Sequence, residues 1–213
     1  MNLFCSNCVL LFILFLFLST TATAVTISTD INFVVSNKTY KVQNTMVFSQ
    51  IIIDSSYIIF NQSCFYVNAP YDMLITLVYI RNGQGQINDR MLDFYADTSS
   101  GPDTFAISGF SKLDVFSIKR DNVMFASSAP DSSGYIRFTN NMWGRHFQIY
   151  KVNAPDWDVN GDGDGSILDL VYISNHYQEH GSSGWLREDV DNNGRIEVLD
   201  VSIVSFYYGD SWW

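Results

Sequence analysis

Apolar and polar positions alternate with a period of about two along most of the chain, and the alternation stops near residue 153. Between Val25 and Val152 short runs rich in Ile, Val, Phe, Tyr and Thr recur, such as Lys38–Val42, Met73–Ile80, Met91–Ala96 and His146–Val152. Turn formers separate them, as in Asn68–Asp72, Asn82–Gln86, Ser99–Asp103 and Ala129–Gly134. Many short strands at close spacing predict an antiparallel β-sandwich over residues 25–152. No run of useful length there has helical periodicity. That length of chain is ample for one two-sheet core.

Asn153–Trp157 reads as a junction, because Pro155 disfavours continuing a strand. Beyond it the pattern becomes a loop followed by an apolar helix. It occurs twice, offset by 31 residues: Asp158–Asp169 aligns with Asp189–Asp200. Loop positions 1, 3, 5 and 12 are Asp158, Asn160, Asp162 and Asp169 in the first copy. They are Asp189, Asp191, Asn193 and Asp200 in the second. Position 6 is Gly163 or Gly194, where a left-handed turn is expected. This is the EF-hand loop pattern with Asp in place of Glu at position 12. A hard cation takes six to eight oxygens, and a loop wound round it presents alternate residues inward. Position 7, Asp164 or Arg195, contributes its backbone carbonyl, so its side chain is free to point outward. Position 9, Ser166 or Glu197, ligates directly or through water. The reading is two Ca2+ ions.

The stretches Asp169–Gln178 and Asp200–Gly209 align without a gap and read as helices. Leu170, Ile173 and Tyr177 share one face, as do Val201, Val204 and Tyr208. Neither helix is long enough to be stable alone.

Charge supports a cation site. Residues 1–154 contain ten Asp, no Glu and ten Lys plus Arg, and so are neutral. Residues 155–213 contain twelve acids against Arg187 and Arg195, and so carry the whole −10. Each loop puts three carboxylates at ligating positions. Like charges about 4 Å apart repel by roughly 1–4 kcal/mol per pair. The sum, on the order of 3–12 kcal/mol per loop, matches or exceeds the roughly 3–5 kcal/mol that so small a core supplies. The module is therefore expected to fold only on binding Ca2+. Nothing is basic enough to bind nucleic acid.

Two loop-helix repeats without the entering helix of a full EF-hand resemble a type I dockerin domain, over about Asp156–Trp213. The stretches Trp157–Tyr177 and Arg187–Gly209 look most like dockerins of archaeal surface proteins. The resemblance implies a small α-helical calcium-binding domain over residues 156–213 that binds a cohesin and attaches its passenger to a scaffold, often in polysaccharide breakdown. Two positions depart from the family. Position 8 is Ile196 in the second loop but Gly165 in the first, which predicts a looser first loop. The pair at the helix start, usually small and hydroxylated, is Ile167-Leu168 and Val198-Leu199. That change predicts a greasier interface, with a cohesin-like partner or with the chain's own sandwich.

The N-terminal part says less about function. Residues 1–24 read as a signal peptide, with an apolar core at Val9–Leu18 and cleavage expected after Ala24, leaving a secreted chain with no transmembrane segment. Cys64, the one cysteine remaining, reads as a core residue. Asn37-Lys38-Thr39 and Asn61-Gln62-Ser63 are glycosylation sequons. No catalytic constellation is found. His176 and His180 lack a completing ligand and read as a solvated pair. Asp93 and Asp97 are the one conceivable glycosidase pair. Trp143 is a candidate platform for a sugar ring. The leading reading is a secreted calcium-dependent docking protein. The alternatives are a glycoside hydrolase or carbohydrate-binding protein that carries the docking module, and a structural surface protein whose module packs on its own sandwich.

Overall fold

The structure is a computed structural model and describes residues 25–27, 32–44, 46–48, 50–60, 63–69, 71–81, 85–98, 102–141 and 144–212. The expected signal peptide, Trp143, and Asn61 with Gln62 lie outside these residues.

The chain runs through β1 (Val25–Ile27), β2 (Asn32–Val35), β3 (Lys38–Val42), β4 (Met46–Phe48), β5 (Ile51–Ile53), β6 (Tyr57–Phe60) and β7 (Ser63–Asn68). It continues through β8 (Met73–Ile80), β9 (Arg90–Thr98), β10 (Asp103–Ser108), β11 (Val115–Arg120), β12 (Val123–Ser128), β13 (Tyr135–Asn140) and β14 (Arg145–Val152). Seven strands form one sheet in the order β12-β11-β14-β9-β8-β3-β2, and five form another in the order β13-β10-β7-β6-β5. β1 and β4 make a separate pair.

The period-two pattern holds because alternate residues of each strand point into one core. On β8 these are Met73, Ile75 and Leu77, and on β14 they include Phe147 and Ile149. Phenylalanines from both sheets meet there. Phe94 of β9 packs edge-on to Phe65 of β7 at 6.0 Å, against Phe105 of β10 at 5.5 Å, and stacked on Phe147 at 5.3 Å. Cys64 is buried, as expected of a core residue. The side-chain amide of Asn37 donates to the Tyr71 carbonyl.

One pairing departs from the antiparallel pattern. β3 and β8 are parallel, with Lys38 opposite Met73 and Val42 opposite Leu77. A parallel pair needs a long crossover. Here the intervening chain supplies β5, β6 and β7 to the other sheet.

Beyond β14 lie α1 (Ile167–Asn175) and α2 (Val198–Phe206). Each starts two residues earlier than the apolar stretch suggested. The residue at loop position 9, Ser166 or Glu197, caps the helix, and the position-12 aspartate returns a bond to its backbone N–H. Each helix also ends early, at His176 and Tyr207. Ile173 and Val204 are buried as expected, but Tyr177 and Tyr208 fall past the caps and are exposed. A small core of Val159, Ile173, Val190, Ile196 and Val204 holds the module together, separate from the sandwich core. No helix among the described residues is long and apolar enough to cross a membrane.

Replacing Phe94 by Ala removes a ring that touches both sheets, and is expected to lower the sandwich's stability in urea by about 3–5 kcal/mol. A loss under 1 kcal/mol would show that the sheets do not meet through this ring.

Candidate metal centre

The two loops fold alike because their hydrogen bonds repeat residue for residue. The position-12 carboxylate is fully buried in both. Asp169 accepts from Asn160 N at 3.1 Å and from Ser166 N at 2.8 Å. Asp200 accepts from Asp191 N at 3.2 Å and from Glu197 N at 2.8 Å. The position-1 carboxylate is also buried and accepts the amide of the position-6 glycine: Gly163 N to Asp158 at 3.0 Å, Gly194 N to Asp189 at 3.0 Å. Both glycines have positive φ, +99° and +85°. An asparagine side-chain amide stitches the middle of each loop to a neighbouring carboxylate. Asn160 Nδ2 donates to Asp162 at 2.8 Å, and Asn193 Nδ2 donates to Asp191 at 2.9 Å.

In the second loop, carboxylate oxygens of Asp189, Asp191 and Asp200 lie within 4.8 Å of one another. Among the described residues no other three Asp, Glu, His or Cys side chains converge so closely. The first loop has an amide, Asn160, at position 3 and so differs in its acid arrangement. No Lys or Arg among the described residues forms an ion pair with a loop carboxylate. Burial, then the charges of Asp169 and Asp162, push the Asp158 carboxyl above its ordinary value, against hydrogen bonds from Trp212 and Gly163. Oxygen-only donors crowded round two buried carboxylates, with no Lys or Arg in ion-pair contact, are what a hard divalent cation fits. Asp164 and Arg195 are exposed. Ser166 and Glu197 are half-buried at the helix caps.

Each loop is braced by the segment that follows the other loop's helix. After α1, Gln178 N donates to Ile196 O at 2.8 Å and Ile196 N to Glu179 O at 3.0 Å. After α2, Gly209 N donates to Gly165 O at 2.7 Å and Gly165 N to Asp210 O at 2.8 Å. Gly165 therefore does not loosen the first loop. A Cβ there would sit 2.3 Å from the Tyr207 carbonyl and 3.2 Å from the Trp157 ring, which stacks on Tyr207 at 5.3 Å. The space that Ile196 fills in one loop is filled by backbone and indole in the other.

The first loop also rests on the sandwich. Ala129 N donates to Asn160 O at 2.8 Å. Arg187 donates to the carbonyls of Asp158 at 2.5 Å, Val159 at 3.1 Å and Pro155 at 3.1 Å, and to Leu113 O at 3.3 Å. None of these contacts was readable from side-chain spacing, since nearly every partner is a backbone atom. The left-handed Gly161 at loop position 4 was a readable hint (its counterpart Asn192 is also left-handed).

The remaining candidates fall elsewhere. Asp93 is buried in a network on the outer face of β9. It pairs with His146 Nε2 at 2.5 Å and Arg90 at 2.7 Å, and accepts from Gln148 at 3.1 Å. Asp97 is exposed. His176 meets Glu179 at 3.2 Å and Glu188 at 3.8 Å rather than His180.

Residues 156–207 match the family model of the dockerin type I domain. The match covers the calcium-loop module, and the sandwich is unrecognised. No curated protein and no solved structure matches the chain. Dockerin type I domains bind Ca2+, and the match supports a calcium-binding, cohesin-docking role.

Gly161 has φ +74° and lies so close to the sandwich that a Cβ would stand 2.5 Å from Ala129 N. Gly161→Ala is expected to lift the first loop off the sandwich. Hydrogen exchange at the Ala129 amide should then rise toward the unprotected rate while the strands stay protected. Unchanged protection at Ala129 would show that the contact does not depend on this glycine.

Proposed function

We propose that the chain is a secreted protein whose dockerin binds two Ca2+ ions and docks the sandwich onto a cohesin-bearing partner. The ligands are Asp158, Asn160, Asp162 and Asp169 in the first site and Asp189, Asp191, Asn193 and Asp200 in the second. The carbonyls of Asp164 and Arg195 complete them, and Ser166 and Glu197 serve directly or through water. The observation that carries this reading is the convergence of Asp189, Asp191 and Asp200 without an ion-paired Lys or Arg, in a loop whose residue pattern the first loop repeats in register.

The docking face is formed by the outer sides of both helices. Ile167, Leu168, Val171, Val198, Leu199 and Phe206 are all exposed, with Leu168 at 51 %, Leu199 at 48 % and Phe206 at 81 %. Apolar residues exposed in such a group mark an interaction surface. The contact between the first loop and the sandwich leaves this face free, so an internal contact and an external partner are compatible.

Calorimetry of the whole chain is expected to give two calcium equivalents, and an immobilised cohesin module should retain it in calcium but not in EGTA. Leu168→Asp with Leu199→Asp should abolish retention and keep both calcium equivalents. Retention unaffected by that pair would refute the docking face.

A second reading, binding of a polysaccharide by the sandwich, is favoured by one groove. On the outer face of the seven-stranded sheet Lys41, Thr76, Tyr95 and His146 are consecutive cross-strand partners. Lys41, Gln43, Thr76 and Tyr95 line an open groove of about 430 Å3. The Tyr95 ring is half-exposed and stacks on His146 at 4.2 Å, and buried Asp93 holds that imidazole. A fixed, flat aromatic beside hydroxyl, amide and amine groups suits a pyranose ring. Retardation of the chain in gels containing polysaccharide, lost in Tyr95→Ala, is the expected result; equal mobility of both proteins across the panel would reject it.

A further inference from the structure

We propose that Trp212 is a positioning residue of the first calcium site, which makes the segment after α2 part of that site. The proposal rests on the calcium reading above.

A position-1 carboxylate that is to face an ion must be held in place by donors from the chain around it. The two loops do this with different groups. In the second loop the donor from outside is a backbone amide, Gly184 N to Asp189 Oδ2 at 2.9 Å. In the first loop it is a side chain, Trp212 Nε1 to Asp158 Oδ2 at 2.6 Å. Asp158 Oδ1 meanwhile accepts from Gly161 N at 2.9 Å and Asp162 N at 3.1 Å.

An indole N–H donates and cannot ligate a cation. Its bond to an ionised carboxylate is charge-assisted, and so stronger than one between neutral groups. It therefore offsets part of the repulsion among Asp158, Asp162 and Asp169 before an ion arrives, and fixes the carboxylate's direction afterwards. The indole is itself held. Trp212 N donates to Gly163 O at 3.2 Å, and Ser211 Oγ donates to Asp164 Oδ1 at 2.5 Å. These bonds, with the Gly165–Asp210 bond described above, align Asp210–Trp212 along the first loop. The sequence gives no sign of this pairing, since 54 residues separate Trp212 from Asp158.

Partners behind a metal ligand typically contribute 10–100-fold to affinity. The test uses the whole chain in two backgrounds. Asp191→Ala removes the second site, and Trp212→Phe added to it should weaken the remaining calcium binding by about 10–100-fold in calorimetry. Asp162→Ala removes the first site, and Trp212→Phe added there should leave the second unchanged. The unchanged second site also reports that the variant folds. In the Asp191→Ala chain, the indole N–H resonance of Trp212 should shift as calcium is added. Equal affinity with and without the indole in the Asp191→Ala background would overturn the proposal, as would equal losses in both backgrounds. A parent chain that takes up no calcium overturns the calcium reading itself, and this proposal with it.

Discussion

Carboxylates held within 4.8 Å of one another, two of the three buried, repel strongly unless a cation lies between them. That constraint organises the C-terminal module. Its small core joins five buried aliphatic side chains to a few half-buried neighbours. The loops place two fully buried or nearly buried aspartates each, at positions 1 and 12, with no Lys or Arg paired to them. The backbone amides that these carboxylates accept position them without neutralising them. The proposed ion supplies the missing charge, and its demand for oxygens at fixed spacing accounts for the loop pattern.

The same constraint explains why so much of the surrounding chain is committed to the loops. Each helix is only nine residues long and starts on a cap that its own loop provides. Each is followed by a segment that pairs with the opposite loop, so the two halves exchange braces. The first loop gains two further supports, the Trp212 indole on one side and Ala129 with Arg187 on the other. The first loop is thereby tied to the sandwich. The outer sides of the helices take no part in any of this, which leaves their apolar residues available to a partner.

What the sequence made legible was whatever side-chain spacing encodes. Period two announced the strands, and the alternate oxygens with a position-6 glycine announced both loops. Arrangements made by backbone atoms were hidden. The parallel pairing of Lys38–Val42 with Met73–Leu77 could not be read, because parallel and antiparallel neighbours share the same alternation. Tyr177 and Tyr208 fit the helical period but lie past the caps, since the chain leaves the helix there to pair with the other loop. Gly165 suggested looseness because a missing side chain is visible in a sequence, whereas the Tyr207 carbonyl and Trp157 ring that occupy its space are not. Asp93 paired with Asp97 by spacing, but His146 and Gln148 on β14 enclosed the first in hydrogen bonds, and the second stayed in solvent.

The most direct measurement of the central claim is amide hydrogen exchange along the whole chain, with calcium and then with EGTA. The account predicts that chelation removes protection from residues 156–207, Ile173 and Val204 included, while the strand amides around Phe94 and Phe147 stay protected. Protection of α1 and α2 that survives chelation would contradict it, because the carboxylates would then be tolerated without an ion.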